Sequence, residues 1–473
     1  MATETKMSTD APDHEELVDQ AIELAYANSE ARPSLWTWSM FRLYGCLLIG
    51  YLCACTNGFD GSVMGGINAM TSYQDYFHMV SASSSTGIIF AIYNIGTACA
   101  VLFVGPVNDH WGRRAGMWTG AAIVIIGTFL TARAKDHGMF IAGRFVLGFG
   151  VCFLNVSGPV YVGEMAHPVW RGPLSGLYNC FWYIGSIVAA WVVYGTKYKA
   201  AGWRIPLYCQ LIVMEKGMRI IPSLNFKWLK WNMRFPPMDQ TRSSGITENS
   251  GKLEPNVTAC FVLMLENAGI TSESKKLLLN GINAPLCFIA SISGSMLLDK
   301  AGRRPLLMGS LLGCMVFFAI LTPLSKLANT DPDNPAAANS SIAFIYLFAI
   351  TFSTAWTPLS PMYVVECLET STRAKGKSLA QFITACSSAV VSYSSGPAFQ
   401  HIKYYFYIAF IGWDVVELIV IYFFWPETKD RTLEELKEVF AAPNPVKKSL
   451  EPKNLQTVFN TLDMTKAHVT VTA

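Results

Sequence analysis

The stretch Gly105-Pro-Val-Asn-Asp109-His-Trp-Gly112-Arg113-Arg114 separates two long apolar runs, and its Asp-x-x-Gly-Arg-Arg core is repeated 190 residues later. The second copy reads Gly294-Ser-Met-Leu-Leu-Asp299-Lys-Ala-Gly302-Arg303-Arg304. A single copy is a weak signal, because a turn glycine beside basic residues is common where helices meet water. Two copies in matching surroundings are more specific, and they indicate an internal duplication.

A second motif is duplicated in the same order along the chain. It is a proline, then a glutamate, then an arginine seven residues after the glutamate. Its copies are Pro159, Glu164 and Arg171, and then Pro361, Glu366 and Arg373. Two motifs repeated in order predict two homologous halves, an arrangement typical of membrane transporters.

Composition supports a membrane protein and excludes several other classes. Of 473 residues, 52% are hydrophobic and 15% are charged, against about 25% charged in soluble domains. The net charge of +3 gives no reason to expect a nucleic-acid partner. The twelve cysteines lie in apolar runs without metal-ligand or disulfide spacing, so we expect no metal and no cofactor. No nucleophile–base spacing is present, and we therefore expect no enzyme.

The apolar runs predict an all-α membrane protein of two six-helix halves. Ten of the twelve runs are ~18 to 24 residues long, enough to cross ~30 Å of hydrocarbon at 1.5 Å per residue. The sixth and seventh runs stop after roughly 11 and 9 residues, about half a crossing or less. The runs lie near 43–64, 84–107, 115–134, 139–161, 174–196 and 204–214, then 257–265, 281–298, 305–323, 342–365, 378–399 and 404–425.

The chain divides into five segments by polarity. They are an N-terminal tail (1–40), an N-terminal transmembrane half (41–214), a shortened linker (215–256), a C-terminal transmembrane half (257–428) and a C-terminal tail (429–473). The N-terminal tail is acidic and has no basic start, so it is not a signal peptide. The distribution of Lys and Arg predicts that both tails, the linker and the motif loops are cytosolic. The sequon at Asn339 then lies outside, where glycosylation is possible.

The chain resembles the sugar-porter branch of the major facilitator superfamily, and in particular its fungal lactose and hexose permease-like members. The resemblance covers about 40–213 and 262–440 and rests on several signatures. They are Gly58-Phe-Asp60-Gly, the paired Asp-x-x-Gly-Arg-Arg loops, Gly143-Arg144, Tyr363-x-x-Glu366 and Pro426-Glu-Thr-Lys429. It implies the major facilitator fold and a monomer in the lipid bilayer of the plasma membrane. Its expected activity is sugar transport by alternating access, coupled to protons.

Two family signatures are absent. The Pro-Glu-Ser-Pro-Arg-Trp-Leu element expected after the sixth run is reduced to a faint echo, and the sugar-binding Gln-Gln-x-Ser-Gly expected at the seventh run is missing. Two explanations remain open for the short runs, a mis-joined reading of the gene and a degenerate copy. The alternative function is a non-transporting, sensor-like or truncated paralogue. A drug or organic-acid carrier lacks support, because the Pro-Glu-Thr-Lys and Glu-x₆-Arg elements are sugar-porter features.

Asp60 and Arg144 are predicted to meet inside the membrane. Counting along the first and fourth runs puts both at nearly the same depth. An unpaired charge in an apolar span is costly and usually functional. An Asp/Arg pair is suited to proton coupling, because Arg keeps Asp ionised until the geometry changes. The alternative is a static ion pair.

The duplicated motifs supply two groups of charged residues that the family uses as a cytosolic gate. Surface ion pairs are worth only ~0–1 kcal/mol each, so they suit a switch better than a scaffold. The alternative is that these charges only set the topology. The first group is Asp109, Arg113, Arg114, Glu164 and Arg171, and the second is Asp299, Arg303, Arg304, Glu366 and Arg373.

For the sugar, the resemblance points to Asn179 and Trp356, because sugars need amides for their hydroxyls and an aromatic face for the ring. Cys287 and Thr384–Ala385 lack the side chains common at their positions in the family. The sequence therefore predicts a poor pocket outside Asn179 and Trp356. Asn283, near the start of the eighth run, is expected to be a helix-end residue.

Overall fold

The protein is a bundle of α-helices. The computed structural model describes residues 36–78, 84–166, 170–199, 201–223, 257–270, 272–330, 335–367, 373–429, 436 and 439–451. A 3₁₀ turn lies at Lys403–Tyr405. The helices are α1 (Trp38–Asn68), α2 (Thr71–Phe77), α3 (Ser84–His110), α4 (Arg113–Ala132), α5 (His137–Met165), α6 (Arg171–Thr196), α7 (Arg204–Ser223), α8 (Val257–Asn267), α9 (Glu273–Ala301), α10 (Arg303–Thr330), α11 (Pro335–Cys367), α12 (Arg373–His401), α13 (Phe406–Phe424) and α14 (Pro445–Leu450).

Within the described ranges, nine helices are long and apolar enough to cross a membrane. Each corresponds to one of the ten long apolar runs. The remaining long run, 378–399, forms α12, which has 29 residues but contains six serines and is less apolar. The predicted count of ten spans therefore stays a prediction. The nine are α1, α3, α4, α5, α6, α9, α10, α11 and α13.

The two short runs have different outcomes. The helix α7 spans 20 residues, from Arg204 to Ser223, and so passes the predicted boundary after residue 214. The helix passes the end of the apolar run because Glu215 and Lys216 interrupt the apolar pattern without breaking helical geometry, since both are good helix formers. It is not among the described helices that are apolar enough to cross a membrane, so the predicted truncation of the sixth run stays a prediction. By contrast, α8 has only 11 residues, which rise ~16 Å along the helix axis. These are the residues that the structure describes, and the predicted half-length of the seventh run stays a prediction.

The duplicated Asp-x-x-Gly-Arg-Arg motif forms the same turn twice. Gly112 lies between α3 and α4 with φ +85°, and Gly302 lies between α9 and α10 with φ +90°. Both angles are in the region that favours glycine, because a side chain there is strained. In each copy the two arginines open the following helix.

Glycines allow the helices of each half to pack closely. A Cβ at Gly58 would overlap the carbonyl oxygen of Trp182, where α1 meets α6, and one at Gly294 would overlap that of Thr354, where α9 meets α11. The first of these contacts sets the position of Asp60, two residues after Gly58. Close packing at glycine is common between membrane helices.

The two halves meet along α3 and α12 and along α6 and α9. At the end of the bundle away from the motif arginines, Val262 of α8 and Leu277 of α9 join an apolar cluster of the first half that contains Phe59, Met64 and Trp203. This packing joins the two halves at that end of the bundle.

Candidate functional site

A polar cavity of about 200 Å³ lies between the two halves. Four helices of the first half (α1, α3, α5 and α6) and three of the second (α9, α11 and α12) contribute to it. None of the described residues of α7 or α8 does. The lining residues are Asn57, Gly61, Phe90, Tyr93, Asn94, Thr97, Arg144, Asn155, Asn179, Trp182, Tyr183, Asn283, Cys287, Phe352, Ser353, Thr357, Gln381, Thr384, Ala385 and Ser388.

The lining combines amides, hydroxyls and aromatic rings. Five asparagines and Gln381 line the cavity, and each amide offers two donors and one acceptor oxygen. Trp182 and Phe352 supply aromatic faces from opposite halves. Alternating donors, acceptors and apolar faces are what a sugar ring requires. The prediction of a poor pocket rested on positions taken from the resemblance and did not include the amides of Asn57, Asn94, Asn155 and Gln381, which line the cavity.

Asn179 lies where the two halves touch. Its Nδ2 donates to the carbonyl oxygen of Thr357 on α11, at 2.8 Å. One turn further along α6, the Tyr183 hydroxyl shares a hydrogen bond of 2.6 Å with Ser353 Oγ. These bonds link the halves at the cavity wall, and a ligand that needs the Asn179 amide has to compete with the first of them.

Trp356, the other predicted sugar residue, is not among the described lining residues. It is 3% exposed and packs with Leu298 and Leu359 in the core of the second half. Its ring stacks on Phe352, with the centroids 6.1 Å apart. Because Phe352 lines the cavity, Trp356 lies one layer behind it.

Asn283 is not a helix-end residue, and that prediction was wrong. The helix α9 begins at Glu273, eight residues before the predicted start of the eighth run, because Lys275 and Lys276 hide its first two turns from an apolar count. Asn283 consequently lies inside the helix and lines the cavity. Asn57, Asn94 and Asn155 were also missed. A polar amide within an apolar run was the available signal for all three.

Asp60 and Arg144 form the predicted ion pair. Arg144 Nη1 lies 3.1 Å from Asp60 Oδ1, and the two side chains are 3% and 0% exposed. The guanidinium also lies 4.6 Å from the centre of the Tyr93 ring. Arg144 lines the cavity, whereas Asp60 lies behind it. The ion pair therefore connects the fully buried carboxylate of Asp60 to Arg144, which lines the cavity wall.

The first predicted charge group contains a real ion pair. Arg113 Nη2 lies 3.0 Å from Glu164 Oε1, and its Nη1 is 3.9 Å from Asp109. All three side chains are between 22% and 34% exposed. Arg114 has its own electrostatic neighbour in Tyr161. The side chain of Arg171 lies outside the described residues.

The second group has a partner outside the two duplicated motifs. Glu427, in the Pro-Glu-Thr-Lys element, accepts the backbone N–H groups of Arg303 and Arg304 at 3.0 Å each. The Arg303 side chain donates to the Leu298 carbonyl oxygen, and Arg304 lies over the Tyr422 ring. The side chains of Asp299, Glu366 and Arg373 lie outside the described residues.

The C-terminal tail is hydrogen-bonded to Glu427 and to the end of α9. The Glu427 N–H donates to Ser449 Oγ in α14, at 2.9 Å. Lys429 donates from Nζ to the Lys300 carbonyl oxygen, also at 2.9 Å. Part of the segment predicted as a tail is thereby folded against the ends of α9 and α10.

Two further predictions concern modification and metals. Asn339 is exposed, but its sequon lies within α11 instead of a loop, and Ser341 is fully buried. Glycosylation there stays a prediction. Among the residues that the structure describes, no group of His, Cys, Asp and Glu is arranged to hold a metal ion.

Comparisons with known proteins agree with this geometry. A family model described as "Sugar (and other) transporter" matches residues 46–215 and 262–440. A high-affinity glucose transporter of Kluyveromyces lactis is 25% identical, over 84% of this chain and 86% of its own. A quinate permease of Neurospora africana is 25% identical, over 88% and 92%. The solved structure of the proton:xylose symporter XylE, bound to 6-bromo-6-deoxy-D-glucose, covers 84% of this chain and 98% of its own, with a TM-score of 0.65 and 17% identity. At that identity it shows the fold alone.

Proposed function

The chain belongs to the sugar transporter family of the major facilitator superfamily, and from this premise we propose that it moves a sugar together with protons by alternating access. The observation that carries the proposal is the Asp60–Arg144 pair at the wall of a cavity suited to a polyol. We further propose that the protein works as a monomer in the plasma membrane with both tails in the cytosol. The basic residues of the motif loops support this orientation.

Proton coupling follows from the burial of the pair. Removing one partner's charge from a buried ion pair typically costs about 3–5 kcal/mol, because the other charge is left uncompensated. Protonation of Asp60 leaves the buried charge of Arg144 uncompensated. An energy of that size changes the ratio of two conformations by about two to four orders of magnitude. Asp60 is therefore the proton acceptor in this proposal, and Arg144 keeps it ionised between cycles.

The charge groups at the motif end act as the gate. The Arg113–Glu164 pair joins α4 to the end of α5, and by the duplication we assign the same role to Asp299, Arg303, Arg304, Glu366 and Arg373 in the second half. A partly exposed pair is worth about 1 kcal/mol or less, after screening by solvent. Such pairs can break in every transport cycle.

Sugar uptake in a transporter-deficient cell tests the proposal. We expect the unmodified chain to accumulate sugar and to make the medium more alkaline when sugar is added. The variant Asp60→Asn should lose both effects and keep equilibrative exchange, because its side chain cannot take up a proton. Asp136→Asn, at an exposed position, is the matched control. Accumulation against a gradient in Asp60→Asn would overturn the coupling role of Asp60.

One observation favours a second candidate function, a sensor-like or degenerate paralogue that does not transport. The 11 residues of α8 cannot cross ~30 Å of hydrocarbon by themselves. No described residue of α8 lines the cavity, which is built by other helices, and for that reason we favour transport. Absence of any sugar uptake, with normal expression at the membrane, would support the second candidate instead.

A further inference from the structure

Among the described residues that line the cavity, Arg144 alone carries a charge. The others are amides, hydroxyls, aromatic rings and small side chains. Its counter-charge, Asp60, is 0% exposed and lies behind the wall. The net charge that the cavity presents to a ligand therefore depends on whether Asp60 is ionised.

Arg144 has more donors than the ion pair uses. A guanidinium carries five N–H groups in a fixed fork. Nη1 is the atom that bonds to Asp60. Nε is fully buried and has no hydrogen-bond partner within the described part of the chain. The guanidinium charge is therefore incompletely compensated by hydrogen bonds within the protein. Because Nε is enclosed, an acceptor in the cavity would contact Arg144 through the other N–H groups of the guanidinium, which lines the wall.

Neutralisation of Asp60 changes what the cavity binds best. With Asp60 ionised, the pair is neutral overall and repels neither a neutral sugar nor a sugar acid. With Asp60 protonated, Arg144 is a desolvated cation. Hydroxyl groups cannot compensate its charge, whereas a carboxylate can, and the planar fork of arginine matches a carboxylate.

We propose that the cavity binds ring polyols that carry a carboxylate, that is, sugar acids, and that Arg144 binds the carboxylate once Asp60 is neutral. This inference rests on the proposed function, because it uses the same cavity and the same proton. The amides and the Trp182 ring bind the hydroxyls and the ring face. Proton and sugar acid then bind cooperatively, since each increases the affinity for the other by the same factor.

The test compares two ligands that differ only at C6, D-glucose with a hydroxymethyl group and D-glucuronate with a carboxylate. The dissociation constants of both are measured on the purified full-length protein in lipid nanodiscs. Asp60→Asn imitates the neutral state. We expect the ratio of the glucose Kd to the glucuronate Kd to rise at least tenfold in Asp60→Asn relative to the unmodified protein. In the control Lys199→Gln, which removes an exposed cation, the ratio should stay unchanged.

The remaining outcomes separate the inference from the proposed function. If glucose binds and the ratio does not rise in Asp60→Asn, the inference is overturned and the sugar site stands. If neither ligand binds, the sugar site and the inference both fail. The double variant Asp60→Asn/Arg144→Met should lose the gain, and a gain that persists there would exclude Arg144 as the carboxylate ligand.

Discussion

Replacing Glu427 with alanine should loosen the start of α10. The two carboxylate oxygens of Glu427 accept three backbone N–H groups, from Arg303 and Arg304 at 3.0 Å and from Lys429 at 2.9 Å. Arg303 and Arg304 are the first residues of α10, whose N–H groups have no acceptor within the helix. The glutamate thus caps a helix whose first residues lie 123 and 124 positions earlier in the sequence.

The size of the effect follows from these bonds. Hydrogen bonds to charged groups contribute about 1.5–3 kcal/mol each when buried, and a lost helix cap costs about 0.5–2 kcal/mol. Glu427 is half-buried, so water can replace part of what is lost. We therefore expect a local cost of about 2 kcal/mol, which corresponds to an opening equilibrium shifted roughly 30-fold.

Amide hydrogen exchange measures this local opening without unfolding the protein. In Glu427→Ala, the N–H groups of Arg303 and Arg304 should exchange about 30-fold faster. The control is Glu451→Ala, which removes an exposed carboxylate from the same tail and breaks its pair with Lys448. Equal exchange rates in Glu427→Ala and the unmodified protein would refute the assignment of Glu427 as a cap.

Two other predictions test the gate and the cavity. Glu164→Gln should remove the ion pair with Arg113 and increase the alkylation rate of Cys367, at the motif end of α11, about threefold, because a partly exposed pair is worth below about 1 kcal/mol. Mass spectrometry measures the alkylation rate, and an unchanged rate would show that the pair is a surface contact without a role in the gate. Trp182→Ala should raise the KM for sugar uptake roughly tenfold, because it removes an aromatic face worth about 1–1.5 kcal/mol. Trp356→Phe should change the KM less than about twofold. A larger increase in KM for Trp356→Phe than for Trp182→Ala would show that Trp356 is the ring that contacts the sugar.

The sequence by itself determined the helical bundle and its division into halves. Both follow from local properties, namely apolar runs of bilayer length and motifs repeated at the runs' ends. The turns at Gly112 and Gly302 confirm the duplication, with nearly the same backbone angle in both copies. Even the Asp60–Arg144 pair was predictable, because depth in a membrane helix is a simple count of residues at 1.5 Å each.

Only the tertiary structure decided which side chains face the cavity. Depth along a helix can be counted, but the rotation of each helix depends on its packing against others, as with Gly58 against Trp182. That rotation directs Trp182 to the cavity and leaves Trp356 in the core. It also brings together asparagines from five helices, none of which is distinctive alone. The Glu427 cap was hidden for a related reason, since the partners of a helix end need only be near in space.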